Sequence, residues 1–572
     1  MHRNLLGNFG YRALRLTRLS LLTLGFLSSY LYQRCIYSRR AFEESVAKLL
    51  RRYLQRSGGA LLKAGQLLSV RLDLITPGLE KELRNLLDQA EPVDFGDIQK
   101  TILEDLNIQG LSEAFRKFDA SPQASASVAQ VHRAELRTSG ETVAVKVVRP
   151  EVERVFDADL FFISCLARSA AFLGCFKSYN IRAFVDELSR LIRRELNFIH
   201  EAAYLEELRK LMIEDGVDHY APKLFAQYST RRVMTMEWVS GCAVKDLLAL
   251  VEGPPSEERD KGLQELARQN ISPRRTARLI FRSLIEQSCR YRLFHADPHH
   301  ANMIVQPGGR LAYIDFGMVG FLDEFAWEKL CKLFKHMAFH NVHGTYEALM
   351  ATVEPLPPID PRPLESEIKS LVADWVTASK SSTATMIEKS NGRLLMKAVD
   401  AMRRNRILFP WAIMALFRST IVSDLTVYRL DPAFDATEEL RDFFDCQSRR
   451  RLRHALSFGA WQRAAYTLVE SAGALPQAVE EVSGWTRTRL PALGRSFGQK
   501  HTRLERGISK GLQYLSTVFF LGGSAVLLVK VLASIRLISP GVLAEGYWIP
   551  AGLALLFLAH GAGRIAGCMD QP

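Results

Sequence analysis

Two stretches constrain this chain more than any others: His295-Ala-Asp297-Pro-His-His-Ala-Asn302 and, after a short spacer, Ile314-Asp315-Phe316-Gly317. Asp297, Asn302 and Asp315 gather three oxygen-bearing side chains, the donor chemistry that fixes a divalent cation against phosphate oxygens. Such a site also needs a positive charge on the phosphates, held by a firm element. Upstream, Thr142-Val-Ala-Val-Lys146-Val-Val is a β-branched run that reads as a strand with one embedded lysine. The chain therefore reads as a nucleotide holder whose site joins two distant segments.

The order of these segments is that of protein kinases: Val-Ala-x-Lys, then the Asp and Asn of a catalytic loop, then a magnesium-binding Asp-Phe-Gly. Each piece alone is weak, since Asp315 is then an ordinary loop carboxylate and Lys146 a snorkelling strand lysine; three in sequence are specific. Where a glycine-rich loop is expected over the phosphates, the chain carries Ala124-Ser125-Ala126-Ser127-Val128-Ala129-Gln130. Small side chains still let backbone N–H groups approach a phosphate, but alanine lacks glycine's freedom at positive φ, so a stiffer loop is expected. Thr138-Ser-Gly140 reads as a hairpin turn leading into the lysine strand. Val233-Met-Thr-Met236-Glu237 fits either a hinge that meets the adenine edge or a plain edge strand. After Asp315 there is no Ala-Pro-Glu, and Phe321-Leu-Asp-Glu-Phe325 leads quickly into a helix. A peptide platform is thus not expected, which favours a small molecule, a lipid or simple ATP hydrolysis over protein phosphorylation.

The Ala-Ser loop followed by Gln-Val-His, Val-Ala-Val-Lys with Arg-Pro after it, and His-x-Asp-Pro-His-x-x-Asn with Asp-Phe-Gly-Met-Val-Gly resemble the UbiB group of atypical kinase-like proteins, which includes the mitochondrial ADCK proteins. The resemblance runs from about Ser45 to about Asp435 and takes in Lys63-Ala64-Gly65-Gln66, similar to the group's Lys-x-Gly-Gln signature. It implies that Lys63, Gly65 and Gln66 lie on helices packed across the nucleotide cleft; Lys63 and Gln66, three apart, would share a helical face. It further implies that Glu201 pairs with Lys146 and that Glu195 opens a Glu-x-Asp element. Here that element ends in Asn197, which removes a charge, and His300-Ala301 stands where relatives carry Pro-Gly. The implied cofactors are ATP (or ADP) and Mg²⁺. The implied role is support of ubiquinone biosynthesis, with isoprenoid quinone intermediates and membrane-bound biosynthetic enzymes as partners.

The 572 residues accommodate a two-lobed core plus additions. Eight cysteines form no Cys-x-x-Cys pair and read as reduced thiols. Residues 254–273 read as a surface insertion. Near the C-terminus, Leu512 to Val529 and Tyr547 to Gly563 are apolar runs around Pro540-Gly541, expected to form a transmembrane helical hairpin. Basic residues precede the first run, which by the positive-inside rule keeps the core on the ATP-containing side. Residues 1–42 hold seven arginines and no acid around an apolar stretch, Leu19 to Tyr32, too short to span and expected to lie in the interface. With so many basic residues beside apolar segments, the net charge of +13 suits anionic lipids and not nucleic acid.

The expected fold is α+β: a two-lobed protein-kinase-like fold with an N-terminal helical extension and a C-terminal transmembrane hairpin. The expected divisions are a basic interfacial segment (1–42), the Lys-x-Gly-Gln extension (43–115), an N-lobe (116–240), a C-lobe (241–450), a basic helical linker (451–510) and the hairpin (511–567). The expected function is that of a membrane-anchored ATPase, with a lipid or small-molecule kinase and a nucleotide-binding pseudokinase scaffold as alternatives. A bacterial inner membrane is the expected location, a mitochondrial inner membrane the alternative. Lys146 and Glu201 are expected on the phosphates, Asn302 and Asp315 on Mg²⁺, and Asp297 on the attacking water or hydroxyl.

Overall fold

The computed structural model describes residues 2–84, 86, 91–172, 181–353, 357–381 and 383–455. The chain forms two compact units, residues 1–440 and 441–572. The second is described only through Ala455, as helix, so the expected linker beyond that residue and the hairpin at 511–567 lie outside the described residues. Among the described residues no helix is long and apolar enough to cross a membrane.

The first unit opens with α1 (His2–Ile36), α2 (Arg39–Ser57), α3 (Gly59–Leu68) and α4 (Pro77–Arg84). Leu19, Leu54, Leu61, Leu83 and Leu86 meet Phe162 in a core of their own. Gly58 and Gly59 both adopt positive φ at the sharp α2–α3 junction, where glycine is the residue without steric penalty. Next come α5 (Phe95–Leu106), capped by Asp94, and the short α6 (Leu111–Ala114).

A small lobe follows: β1 (Phe115–Phe118), β2 (Ala124–Ser125), β3 (Ala129–Leu136) and β4 (Thr142–Val148), then α7 (Val152–Phe172), α8 (Ile181–Glu195), α9 (Phe198–Asp215), β5 (His219–Tyr220) and β6 (Val233–Glu237). The sheet runs β1-β3-β4-β6, with β2 also on β3, and every pair is antiparallel. Thr138-Ser-Gly140 is the β3–β4 turn, with Gly140 at φ +71°. Val143, Val145 and Val147 alternate into a core with Ile98, Ile102 and Phe115, so Lys146 falls on the opposite face of the strand.

The larger lobe begins with β7 (Cys242–Ala243), α10 (Val244–Glu252), α11 (Glu257–Arg268) and α12 (Pro273–Glu286). α11, inside the expected insertion, buries no residue. A π-helical turn, Gln287–Tyr291, leads to β8 (Leu293–His295); β9 (Met303–Gln306), β10 (Arg310–Tyr313) and β11 (Val319–Phe321) follow. β5 joins β10, β9 and β7 in one sheet, while β11 pairs with β8 so that Val319 faces His295. That pairing holds the two ends of the Asp297 and Asp315 region together. Then come α13 (Glu324–Ala338), α14 (Val342–Ala351), α15 (Pro361–Lys380), α16 (Met386–Lys389), α17 (Asn391–Arg404), α18 (Trp411–Leu430) and α19 (Ala436–Ala455). Asp323 caps α13 only a few residues past Gly317, so no long segment intervenes. α18 is buried almost all round, as expected of a central helix.

Candidate functional site

β4 offers Lys146 to two carboxylates at once: its Nζ lies 2.6 Å from Glu201 Oε1 and 2.9 Å from Asp315 Oδ1. Glu201 is buried on the first turn of α9 and also accepts a hydrogen bond from the Phe316 amide at 3.3 Å. Asp315 Oδ1 accepts from the Gly317 amide at 3.2 Å. Both contacts to Asp315 use Oδ1, and its side chain remains 44% exposed, so Oδ2 is open to the cleft. One ammonium shared by two carboxylates leaves an excess negative charge. Burial opposes the Lys146 charge, but Asp315 and Glu201 outweigh it and hold the ammonium's pKa above its usual value. Burial, aided by the charge of Asp315, pushes Glu201 up to about 7 against the pull of Lys146. Asp315 shifts the other way: burial resists its ionisation, and Lys146 overcomes that and holds it below the usual carboxylate range.

The loop after β8 brings in Asp297 and Asn302. Asn302 Nδ2 donates to the Asp297 backbone oxygen at 3.4 Å, which curls the loop and leaves the amide oxygen for another partner. Asp297 Oδ1 accepts from Arg418 Nη1 at 3.0 Å. Arg418 was not among the residues expected from sequence; it sits on α18, and its neighbour Ser419 donates to the His295 carbonyl at 2.9 Å. Buried His295 bonds the Asp315 carbonyl and stacks on Tyr313, and burial lowers its pKa and keeps it neutral. His300–Asn302 is a single 3₁₀ turn whose Ala301 amide donates to His299 Nδ1 at 3.3 Å.

The Ala-Ser segment is a hairpin in which the Ala126 amide donates to the Ala129 carbonyl at 2.8 Å and Arg149 Nη1 to the Ala126 carbonyl at 3.0 Å. Ala124 and Ser125 form β2, Ser127 and Val128 the bend. Ser125 Oγ is buried with no protein partner. Gln130, expected among the nucleotide contacts, turns away: Val131 is the residue opposite Lys146, so the neighbouring Gln130 side chain falls on the other face, where Oε1 accepts from the Val93 amide at 2.9 Å. Glu237, expected at the hinge, ends β6 with its carboxylate accepting from Tyr220 and from the Lys223 amide, away from the Lys146 cluster.

α3 covers the front of the site. Ala60, Ala64 and Leu67 pack with Val128 of the loop, Met318 after Asp-Phe-Gly, and Trp411 at the start of α18. Lys63 Nζ lies 3.0 Å from Glu195 Oε2, each side chain 13% exposed. Gly65 leaves room for two leucine ends: a Cβ there would stand 2.6 Å from Leu54 Cδ1 and 2.7 Å from Leu86 Cδ1, which would have to turn aside. Gln66 shares its helix with Lys63 but not its partner, and donates to the Leu86 carbonyl at 3.4 Å. Asn197 is the N-cap of α9, with its Oδ1 accepting from the Ile199 amide at 3.1 Å. An amide performs that task as well as a carboxylate, so the missing charge leaves the Lys63–Glu195 pair intact.

The donor set suits a magnesium nucleotide: an ammonium, an open carboxylate oxygen on Asp315, the Asn302 amide oxygen and the unpartnered Ser125 hydroxyl.

A family model described as the ABC1 atypical kinase-like domain matches residues 85–349. The Arabidopsis thaliana protein named Protein ACTIVITY OF BC1 COMPLEX KINASE 3, chloroplastic, is 30% identical over 389 residues, 66% of this chain and 52% of that protein. Uncharacterized protein slr0889 of Synechocystis is 34% identical over 280 residues, 48% of this chain and 65% of that protein. An Arabidopsis thaliana protein named as an uncharacterized aarF domain-containing protein kinase, At5g05200, chloroplastic, is 31% identical over 304 residues, 53% of each. The chain thus spans about half to two thirds of the length of these relatives.

Proposed function

The chain belongs to the ABC1 atypical kinase-like family, the UbiB and ADCK group, and from that premise we propose that it binds and hydrolyses ATP with Mg²⁺ at a membrane, in support of ubiquinone or related isoprenoid-lipid biosynthesis. The observation that carries this reading is the ion triad of Lys146, Glu201 and Asp315 beneath the α3 cover. The triad supplies the phosphate-facing charge and the metal-facing oxygen. The Lys63 helix closes the front of the cleft, and the quick passage from Gly317 to α13 leaves little room for a peptide platform.

In this reading Lys146 holds phosphate oxygens and Glu201 fixes the lysine. Asp315 Oδ2 and the Asn302 amide oxygen hold the metal, which when bound neutralises charge on the phosphates. Asp297, steadied by Arg418, orients the attacking water through its second carboxylate oxygen. A membrane anchor in the C-terminal apolar runs, with the core on the ATP-containing side, belongs to the same proposal, as does the supply of lipid intermediates to membrane-bound enzymes.

The test is Mg²⁺-dependent ATP turnover of the purified chain on liposomes containing anionic lipid, beside Asp315→Asn. Turnover that rises with lipid and is lost in the variant supports a membrane-coupled ATPase. Labelled phosphate recovered in the lipid fraction would make it a lipid kinase, and nucleotide binding without turnover in either protein would make it a scaffold.

A further inference from the structure

α1 is half covered and half bare. Its inner face is fixed: Arg15 Nε donates to Asp159 Oδ1 at 2.8 Å, Leu19 is fully buried, Thr23 bonds the Tyr53 hydroxyl, and the Phe26 ring packs tilted against Tyr53 with centroids 5.1 Å apart. A helix tied down along one side cannot leave to span a bilayer alone. Its other side carries Leu14, Leu21, Leu24, Leu27, Leu31 and Tyr32, each between 47% and 74% exposed. These positions recur at helical spacing and form one stripe. Arg18, which also donates to the Arg56 carbonyl, and Arg34, over the Phe42 ring, flank it, both exposed; α1 itself carries no acid, and the nearest acids in sequence are Glu43 and Glu44 on α2. A face meant for water would carry acids and lysines.

We propose that the outer face of α1 lies in the plane of a membrane surface, with its leucines among the acyl chains and its arginines on anionic headgroups. Apolar side chains flanked on their own helix by arginines and no acid are the chemistry of an interfacial helix on acidic lipid. Because α1, α2 and α7 share contacts, this docking sets the whole extension against the bilayer. The inference rests on the membrane setting proposed above, and its experiment reads the helix and not ATP turnover, so either can fail without the other.

Cys35, exposed on the last turn of α1, provides the probe position. The full chain carrying Cys446→Ser is labelled there with an environment-sensitive fluorophore, and Cys35→Ser gives the background. On vesicles containing phosphatidylglycerol the emission should shift to the blue and be quenched by lipids brominated near the headgroup. The combined variant Leu21→Ser, Leu24→Ser and Leu31→Ser should lose most of that quenching while keeping its melting temperature. Unquenched label on vesicles that do carry the protein would overturn the proposal. So would equal quenching on pure phosphatidylcholine, or a concentration-dependent blue shift without vesicles, which would assign the face to a second copy of the chain.

Discussion

Arg418 Nη1 stands 3.0 Å from Asp297 Oδ1, joining the central helix of the large lobe to the carboxylate at the heart of the catalytic-type loop. The pair is partly buried, with 17% and 30% of the two side chains exposed. A guanidinium in that position restricts the rotamer of the carboxylate and engages its Oδ1.

Arg418→Ala should therefore reduce kcat by roughly 100-fold, the scale seen when a reacting group is misplaced by about an ångström, with little change in nucleotide affinity. Arg418→Lys, which keeps the charge but not the planar fork, should recover part of the loss. Steady-state kinetics beside nucleotide titration separates the two effects; an equal loss of affinity would mean that Arg418 shapes the pocket and not the carboxylate.

Gly65→Ala puts a methyl group against Leu54 and Leu86 at distances that side chains do not sustain. Overpacking of this kind costs about 1 to 3 kcal/mol, and the strain falls on α3, the cover of the site. Urea unfolding should show a lower midpoint with an unchanged slope. A variant as stable as the parent would show that α3 can shift outward without loss.

Asp424 on α18 is buried, and burial raises its carboxyl to about 6 although Ser390 and the Gly392 amide, at 3.0 Å, both donate to it. Because the folded pKa lies above the unfolded one, the folded state binds the proton more tightly. The stability this contributes is complete below about pH 4 and is lost as pH rises through about 6. Asp424→Asn keeps an acceptor for both donors without the charge, so at pH 8 it should be more stable than the parent by up to about 3 kcal/mol, from roughly two pKa units. Melting curves from pH 4 to pH 8 should converge at the acid end; parallel curves would refute the assignment.

The site was legible where function dictates spacing. Lys146 and Asp315, which the motif order expects together, meet in one ion cluster, and Asp297 and Asn302 share one loop, while Lys146 lies on the strand that the β-branched run around it signals. Arg418 was not legible, since an arginine on an apolar helix 121 residues from its partner carries no local mark. Gln130, expected among the nucleotide contacts, sits on the other face of β3, because its neighbour Val131 is the β3 residue across from Lys146. Asn197 was read as a lost charge when its position at the head of α9 marks an N-cap. For Gln66, helical spacing gave the helix face but not the neighbour, because Leu86 arrives from another part of the extension.

Asp159 holds three things at once: the guanidinium of Arg15, the amide of Ala60 at 2.9 Å, and the space that only a glycine at position 59 leaves free. The family match starts at residue 85, yet the Asp159 carboxylate inside it draws its counter-charge from Arg15, some seventy residues ahead of that start. Removing α1 while leaving α3 in place would leave Asp159 beside the Ala60 amide without that guanidinium, so this ion pair ties α1 to the matched segment.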